Sequence, residues 1–483
     1  MLLYRIGVPG ELEETLLRLD TLIRWVLLVI LDATQALFHF ETGSALSCLR
    51  HKSPLDEDTL QRCNVAMYEL NKEAVVMALS AASQHSTLAE TLPELAPPYR
   101  LLLGPGPCNI DPRVFRALAA PQLGHLDPEM IRIMGETAEM LRWMFQTRNE
   151  LTLCVSGSGF SGAEAVLSNL LEEGDTLIVG SLGFFSGKIA DISQRIGARV
   201  ISVTTEPGKP LEAAALEKAF QEHPEARLFA TAVAETSTGL YQPLKELEAI
   251  THAHGALFVV DAVCGLGGVP LNVDEQKIDA CYSGSQKCLG ALPGLAPLTL
   301  NQRAVEAIKG RRTPVQSYYL DLLALNRYWN GDHAYHHTLS SNLVYTMYEA
   351  LRIAKEEGLE ARWARHKLHG DALKIGVKAM GLSILTQPGY ELPVLTPILL
   401  PAGVAETAVS KALLNEYNIE VGGGLGAFKG HMLRVGLMGY NASQQNVYTL
   451  LQALEHILPR HGHAVTPGAS LAAVDAFYSS KQR

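Results

Sequence analysis

The stretch Ser283-Gly284-Ser285-Gln286-Lys287 decides how this chain is interpreted. Its lysine follows a small, polar turn, and Asp261 lies upstream at the end of the apolar run 257–260. A lysine amine forms a Schiff base with an aldehyde cofactor, and a buried acid holds the protonated pyridine nitrogen of pyridoxal phosphate (PLP). The two residues together predict this chemistry, although one lysine among 40 lysines and arginines is ordinarily a solvated surface charge.

A glycine-rich turn supports a phosphate-bearing ligand. The apolar run 151–155 reads as a buried strand, and Ser156-Gly-Ser-Gly-Phe-Ser-Gly162 and a helical pattern over 163–173 follow it. Such a turn presents backbone N–H groups and the positive end of a helix dipole to a phosphate. Its glycines also match the G-x-G-x-x-G spacing of a dinucleotide site. That alternative, a nicotinamide-dependent dehydrogenase, needs an acid ending the second strand, whereas Glu172, Glu173 and Asp175 precede that strand.

Further stretches between Tyr99 and Leu458 share a pattern with one enzyme family. They are Leu101-Leu-Leu-Gly-Pro-Gly-Pro107, Phe145-Gln-Thr-Arg-Asn149, Ser156-Gly-Ser-Gly159, Glu235-Thr-Ser-Thr-Gly239, Val260-Asp-Ala-Val263, Tyr282-Ser-Gly-Ser-Gln-Lys287, Tyr335-His-His-Thr338, Gly422-Gly-Gly-Leu-Gly426 and Leu433-Arg-Val-Gly-Leu437. On these stretches the chain resembles the alanine–glyoxylate and serine–pyruvate aminotransferases, which are class V PLP enzymes. The resemblance covers about three quarters of the chain.

The resemblance implies roles for residues around the cofactor ring. Lys287 would be the Schiff-base lysine and the base that moves the substrate α-proton. Asp261 would pair with the pyridine nitrogen, and Val263, two residues along the same strand face, would pack under the ring. Ser237 would lie near the ring hydroxyl and the substrate, and Arg434 would bind the substrate carboxylate through parallel N–H donors.

The resemblance also implies how the phosphate is held. Ser156, Gly157 and Gln286 are expected to be phosphate ligands. Ser158, Gly159 and Phe160 of the same glycine-rich turn are expected to bind the cofactor, since the hydroxyl of Ser158 and the backbone N–H of Phe160 can donate to the phosphate. Tyr335 and Thr338 resemble residues that reach the phosphate from the neighbouring subunit, so a homodimer with a shared site is expected.

Two positions depart from the family pattern. Phe160 stands where the family often has histidine, so an imidazole contact to the cofactor is lost. Phe185 stands where the family often has tryptophan over the ring; phenylalanine stacks with less area and no indole N–H. The neighbouring Phe184 fits the stacking position less well. Ordinary core packing is the alternative role for Phe160 and Phe185, and both changes bear on the preference for donor and acceptor.

The pattern of elements predicts an α/β fold. Strands are predicted over 151–155, 176–179, 199–203, 228–232, 257–260, 280–283 and 297–300, with helices between most of them, such as 211–222 and 243–253. Such alternation is typical of a mainly parallel, doubly covered sheet, here of the fold-type I PLP-dependent transferase class that the resemblance implies. Helices are predicted over 341–357 and 359–380 and strands over 383–385, 394–400 and 419–421. They indicate a small α+β domain that carries Arg434.

Three regions are therefore expected. Residues 1–97 would form a mostly helical extension outside the resemblance, and the spacing of Leu19, Ile23, Val26, Leu27 and Ile30 suits a helix. Residues 98–358 would form the large PLP-binding domain with its N-terminal arm, and residues 359–483 the small C-terminal domain and tail.

Composition narrows the partners and the compartment. The 483-residue chain carries a net charge of −10, which argues against nucleic acid. Its seven cysteines form no CxxC pair, which favours a reducing compartment and no metal site. The apolar run 25–31 is too short to span a membrane. No clear targeting signal is seen, so an intracellular location is expected, whether peroxisomal, mitochondrial or cytosolic.

The expected function is PLP-dependent transamination. The resemblance implies alanine or serine as amino donor and glyoxylate or pyruvate as acceptor, in a ping-pong cycle. A class V transaminase of the ureidoglycine or hydroxykynurenine type remains open, as does a catalytically silent PLP-fold binding protein. A cysteine desulfurase is nearly excluded, because such enzymes need a mobile cysteine well beyond the lysine and no cysteine follows Cys288.

Overall fold

The computed structural model describes residues 93–481, together with Lys72. The chain divides into two units, Met1–Pro98 and Tyr99–Arg483. The helix predicted around Leu19 to Ile30 lies outside the described residues. Within the described part of the chain, no helix combines the length and apolar character that crossing a bilayer requires.

The second unit alternates short strands with helices. Its strands are β1 Leu101–Leu102, β2 Leu151–Ser156, β3 Thr176–Ser181, β4 Arg199–Thr204, β5 Leu228–Ala232, β6 Ala234–Glu235, β7 Leu240–Tyr241, β8 Leu257–Asp261, β9 Ala280–Tyr282, β10 Leu295–Leu300, β11 Ser383–Ile384, β12 Leu395–Leu399, β13 Ile419–Glu420, β14 Gly422–Gly423 and β15 Met432–Gly436. Its α-helices are α1 Pro112–Leu118, α2 Pro128–Phe145, α3 Gly159–Leu170, α4 Phe184–Ile196, α5 Ala213–Glu222, α6 Lys245–Ala253, α7 Gln302–Lys309, α8 Leu322–Asn330, α9 Ser341–Glu357, α10 Leu359–Ala379, α11 Glu406–Tyr417, α12 Gln444–Ile457 and α13 Ala469–Lys481.

A seven-stranded sheet contains all seven strands predicted between residues 151 and 300. Their order is β2-β10-β9-β8-β5-β3-β4. Strand β10 runs antiparallel to both neighbours, and the other pairings are parallel. In β8, Phe258, Val259 and Val260 are fully buried, as expected for a strand covered on both faces. The predicted mainly parallel sheet therefore forms with one reversed strand.

The order of the strands determines where polar residues collect. Strand β8 ends at Asp261 and pairs in parallel with β9, after which the chain runs on through Ser283 to Lys287. Strand β2 ends at Ser156, directly before the glycine-rich turn. Ligands of open α/β sheets bind outside the carboxyl ends of the strands. The candidate site residues thus share one edge of the sheet.

A second, four-stranded antiparallel sheet has the order β11-β12-β15-β14. It carries Arg434 in β15. Residues of this sheet and of the helices α10 and α12, such as Leu373, Ile398, Val435 and Leu451, form a hydrophobic core of their own. The predicted strand 419–421 forms only as Ile419–Glu420. It pairs in parallel with β1 in a separate two-stranded sheet, because Leu101–Leu102 provides its partner.

The bounds of one helix at the site differ from the prediction. Helix α3 begins at Gly159 and ends at Leu170, whereas a helix over 163–173 is predicted. Glycine has poor helix propensity, so Gly159 and Gly162 give no helical signal. The first turn nevertheless forms because Gly162 packs closely against Tyr282 and Ala296, where a side chain would crowd them. The second half of the glycine-rich turn is therefore the start of this helix.

Two helical glycines are expected to respond in opposite ways to alanine. A Cβ at Gly370 of α10 would lie 2.0 Å from the carbonyl oxygen of Pro393, whereas a Cβ at Gly135 of α2 has no neighbour within 4 Å. Gly135→Ala should therefore raise the free energy of unfolding by about 1 kcal/mol through helix propensity. Gly370→Ala should lower it by about 2 kcal/mol or more through overpacking. Thermal unfolding of both variants tests this, and stabilisation by Gly370→Ala would contradict the close approach of α10 to Pro393.

Candidate active site

A cavity of about 260 Å³ lies at the carboxyl ends of β2 and β8 and beside the turn after β9. Its lining includes Ser158, Gly159, Phe160, Phe185, Ala232, Ala234, Thr236, Asp261, Val263, Cys264, Gln286 and Lys287. Eight of the fourteen site residues expected from the sequence are in this lining. A larger, open hollow of about 690 Å³ surrounds Asp279 and Arg303 and contains none of the expected site residues. The chemistry of the side chains, rather than size, therefore identifies the smaller cavity as the candidate site.

Lys287 is held at one side of this cavity by the N-terminal arm. Its Nζ donates a hydrogen bond to the carbonyl oxygen of Pro105. Its own carbonyl accepts from the N–H of Gly290 at 3.0 Å and from the thiol of Cys108 at 3.3 Å. A Cβ at Gly106, where φ is +100°, would lie 2.4 Å from Cδ of Lys287. The close approach of the arm to this lysine thus requires glycine at position 106.

Asp261 ends β8 and turns its carboxylate toward the cavity. Burial raises the pKa of this carboxyl to about 6, although a hydrogen bond at 2.8 Å from the N–H of Val263 works against the shift. The negative charge of Glu235 raises the pKa further, while the positive charge of Lys287 lowers it. A carboxylate that is costly to ionise is stabilised by a cationic partner, such as a protonated ring nitrogen.

Val263 lies beyond the end of β8, which corrects its expected position on the strand face. The strand stops at Asp261 because the chain turns there, and the N–H of Val263 bonds back to that carboxylate. A Cβ at Gly159 would lie 2.7 Å from Cγ2 of Val263. The start of helix α3 therefore packs directly on this valine, which leaves the valine on the cavity wall.

The glycine-rich turn offers donors to an anion. Gly157 has φ +124°, but its N–H already donates to the carbonyl oxygen of Gly294 at 2.8 Å, so the donors left for an anion are those of Ser158 and the start of α3. Ser158 is the N-cap of α3, and its hydroxyl makes no capping hydrogen bond to the helix. The first N–H groups of a helix have no intrahelical partners and favour negative charge. Ser156 and Gly157 adjoin the cavity lining without being part of it.

Gln286 carries an unsatisfied polar atom at the cavity. Its Oε1 is buried without a hydrogen-bond partner among the described residues. Leaving such a group unpaired costs about 1–3 kcal/mol, so a bound ligand that pairs with the amide would be stabilised there. The start of α3 and, once the side-chain amide is turned, the NH₂ group of Gln286 can donate to the phosphate of PLP. The carboxylate of Asp261 and the amine of Lys287 suit its ring nitrogen and its aldehyde.

Ser237 and Arg434 lie behind the cavity wall rather than in it. The Ser237 hydroxyl donates to Glu235 at 2.6 Å and accepts from the N–H of Phe184 at 2.9 Å. Arg434 is 6% exposed and donates from Nε to the carbonyl oxygen of Gly423 at 2.6 Å. Its Nη1 contacts the carbonyl oxygen of Thr236 at 3.4 Å, and burial lowers the pKa of its guanidinium. Arg434 is thus one residue removed from the cavity, through Thr236.

The two phenylalanines that depart from the family pattern both line the cavity. Phe160 is 47% exposed and Phe185 is half-buried. Phe184 stands outside the lining, with its ring edge-on to that of Phe185 at 5.4 Å between centroids. The structure therefore brings Phe185, and not Phe184, to the cavity, while the stacking role of Phe185 remains a prediction.

Tyr335 and Thr338 lie apart from the cavity of their own chain. Both side chains are exposed, and their hydroxyl oxygens are 3.4 Å apart. The ring of Tyr335 contacts that of His125 at 4.9 Å between centroids. Their expected contact with the phosphate of a neighbouring subunit stays a prediction.

Sequence reasoning missed several residues of the site. Thr236 and Cys264 line the cavity, and burial raises the pKa of the Cys264 thiol, which keeps it protonated. Glu235 is fully buried behind the wall. Thr236 and Glu235 belong to the stretch Glu235-Thr-Ser-Thr-Gly239, in which only Ser237 has an expected role. Both residues lie shortly after the end of β5, and this position indicates a site residue, since ligands of such sheets bind at the carboxyl ends of strands.

Comparison with known proteins agrees with this geometry. The family model of the class V aminotransferases matches residues 114–450. The alanine–glyoxylate aminotransferase of Rattus norvegicus is 39% identical over 368 residues, which are 75% of this chain and 89% of that protein. The (S)-ureidoglycine–glyoxylate transaminase of Bacillus subtilis is 36% identical over 403 residues, which are 80% of this chain and 97% of that protein.

A solved structure of a relative supports the same fold. The crystal structure of alanine–glyoxylate aminotransferase from Nostoc sp. superposes with a TM-score of 0.75 at 42% identity and covers 76% of this chain and 97% of that one. The predicted fold-type I architecture and the predicted family are both confirmed. From the family match over more than half of its length, together with a cavity that fits the cofactor, it follows that this chain belongs to the class V aminotransferases and that pyridoxal phosphate is its cofactor.

Proposed function

We propose that this aminotransferase moves the amino group of alanine, or serine, to glyoxylate, or pyruvate, in a ping-pong cycle. The observation that carries the proposal is the single cavity that joins Lys287, Asp261 and Gln286, with Arg434 directly behind Thr236. The 39% identity to the alanine–glyoxylate aminotransferase of Rattus norvegicus supports the choice of substrates.

Each residue has a proposed part in this reaction. The bound cofactor supplies an electron sink next to the substrate α-carbon. Lys287 would hold the cofactor and move the α-proton, and the negative charge of Asp261 would favour a proton on the ring nitrogen. Arg434 binds the substrate carboxylate and so orients the α-hydrogen toward Lys287. Closure of the small domain, residues 359–483, over the substrate would exclude water.

The assembly is proposed to be a homodimer with shared sites. Tyr335 and Thr338 would bind the phosphate in the cavity of the neighbouring subunit. Support comes from their exposure, since both side chains are exposed and lie outside the lining of the cavity of their own chain.

A second candidate is the transamination of (S)-ureidoglycine with glyoxylate. The relative of that name in Bacillus subtilis is matched over 97% of its length, more than the 89% of the rat protein. Phe160 and Phe185 make the cavity rim apolar, and both bear on the choice of donor. A hydroxykynurenine-type donor and a silent binding protein are further alternatives that the same experiment separates.

An absorbance titration of the purified protein tests these proposals. L-Alanine is expected to bleach the visible band of the bound cofactor, and glyoxylate is expected to restore it, because the two half-reactions of a ping-pong cycle are separable. Parallel titrations use serine, (S)-ureidoglycine and 3-hydroxykynurenine. Faster bleaching by (S)-ureidoglycine than by alanine would favour the second candidate. A band that no donor changes would contradict transamination, and the absence of a band after PLP is supplied would contradict the role of Lys287.

A further inference from the structure

Glu235 is a fully buried carboxylate that lies behind the cavity wall at the end of β6. Its Oε1 accepts from the N–H and the hydroxyl of Ser237 at 2.9 and 2.6 Å, and from the N–H of Phe185 at 3.4 Å. Its Oε2 accepts from the N–H and the hydroxyl of Ser186, both at 2.8 Å. Five donors from two separate segments of the chain therefore converge on this one side chain.

Three N–H groups and two hydroxyls around its two oxygens favour an acceptor-only carboxylate at Glu235. An ionised carboxylate only accepts hydrogen bonds, whereas a protonated one must place its own O–H opposite a donor. Burying an ion is costly unless charges and hydrogen bonds compensate for it. The five donors supply part of the compensation, and the guanidinium of Arg434 supplies an opposite charge, since its attraction to Glu235 works against the lowering of the arginine pKa by burial.

The first segment that Glu235 holds is the turn at the start of helix α4. The hydroxyl of Ser186, which donates to Glu235, accepts from the N–H groups of Leu182 and Gly183 at 2.8 and 3.0 Å. A Cβ at Gly183 would lie 2.8 Å from Cγ of Glu235 and 2.3 Å from Oγ of Ser237. The turn thus packs against these two residues. Its position determines where the ring of Phe185 enters the cavity.

The second segment is the stretch that follows β6. The Ser237 hydroxyl, which donates to Glu235, also accepts a hydrogen bond from the N–H of Phe184. The two segments are therefore connected both through Glu235 and directly. Between Glu235 and Ser237, Thr236 lines the cavity, and its carbonyl oxygen contacts Nη1 of Arg434 at 3.4 Å. The phenyl wall, the serine and the arginine therefore all depend on one carboxylate that is not itself in the cavity lining.

We propose that Glu235 is a positioning residue of the PLP site, whose negative charge fixes the turn 182–186 and the stretch 236–237 so that Phe185, Ser237 and Arg434 are held around the cofactor and substrate. The proposal rests on the proposed roles of these residues, but not on which amino acid is the donor. It does not make Glu235 a catalytic residue, since five protein donors already occupy its two oxygens.

The decisive substitution is Glu235→Gln, which keeps the shape and removes the charge. The new NH₂ group replaces one acceptor oxygen, so it faces either the N–H of Ser186 or the N–H groups of Phe185 and Ser237. We expect the Kd for PLP to rise by about tenfold or more, as for the loss of hydrogen bonds to a charged acceptor. The visible circular dichroism of the bound cofactor should also weaken, because it reports the asymmetric environment of the ring. Both are measured by titrating the full-length apoprotein with PLP.

Glu172→Gln is the matched control. Glu172 is also a buried carboxylate, 5% exposed, and it accepts hydrogen bonds from Arg312 and from the N–H and hydroxyl of Thr313. It lies outside the cavity lining. This variant should lose thermal stability without a change in the Kd for PLP or in the dichroism. If Glu235→Gln behaves in the same way, Glu235 has a merely structural role and the proposal is wrong.

Ser186→Ala keeps the proposal testable if Glu235→Gln does not fold. It removes one hydroxyl donor from Oε2 of Glu235 and the acceptor of the N–H groups of Leu182 and Gly183, so it loosens the turn 182–186 from Glu235 without altering a residue of the cavity lining or Ser237. A rise of about threefold in the Kd for PLP, with weaker dichroism, is expected. An unchanged Kd and spectrum would overturn the proposal. Because these measurements use PLP alone, they remain informative even if alanine proves not to be the donor.

Discussion

Lys287→Ala is expected to abolish transamination, with a fall in kcat of at least about 10³-fold. The proposed reaction uses this amine twice, for covalent attachment of the cofactor and for transfer of the α-proton. The lysine has no evident substitute, because no other lysine of residues 93–481 lines the cavity. Initial rates with alanine and glyoxylate measure the loss. Borohydride reduction followed by peptide mapping should place the cofactor on the Lys287 peptide of the wild type.

The control for this experiment is Lys367→Ala. The Lys367 side chain is 67% exposed and pairs with Asp371 on the surface of helix α10. Exposed ion pairs contribute about 0–1 kcal/mol, so this variant should keep its activity and its cofactor band. Substantial turnover by Lys287→Ala, with the cofactor still covalently attached, would show that another residue carries the reaction.

Asp261→Asn is expected to lower activity and to stabilise the apoprotein. Without the negative charge, a proton on the ring nitrogen of PLP is no longer favoured, and kcat should fall by about 10²-fold or more. In the apoprotein the same negative charge lowers the free energy of unfolding, since burial raises the pKa of Asp261 from 3.8 to about 6. Its removal should increase the free energy of unfolding by about 2–3 kcal/mol at neutral pH.

The stability gained by the apo form of Asp261→Asn should depend on pH. Above about pH 6 the carboxyl is ionised in both the folded and the unfolded chain, so the full cost of burial is present. Below pH 3.8 it is protonated in both states and the cost vanishes. The difference in Tm between the apo forms of Asp261→Asn and the wild type should therefore be large at pH 8 and small near pH 4. Equal Tm values for the two apo forms at pH 8 would show that the buried charge of Asp261 does not destabilise the folded apoprotein.

The local pattern along the chain was sufficient for the sheet and for the central pair of residues. Strand β8 is a run of apolar residues that ends in an acid, and β9 leads through small polar residues to a lysine. In a parallel α/β sheet, strand ends meet at one edge, so Asp261 and Lys287 could be brought together without knowledge of the contacts. Helix α9 forms with its predicted bounds, because an unbroken apolar periodicity specifies it.

Other features had weaker local signals. The start of α3 has little local signal because glycines have low helix propensity, and the apolar run of β8 does not show that the strand ends at Asp261, two residues before Val263. The reversed direction of β10 was not foreseen in detail, because direction depends on the connection and not on strand composition.

The sequence by itself determined the α/β class and the placement of Lys287 and Asp261 at one cavity by the carboxyl ends of the strands, because these follow from periodicity and from the order of elements. Their roles at the cofactor stay predictions. Only the tertiary structure decided which side chains surround that pair. Pro105 and Gly106 reach Lys287 from an arm far upstream, and Glu235 joins two segments about 50 residues apart. Such contacts depend on the folded path of the backbone, and no local pattern records them.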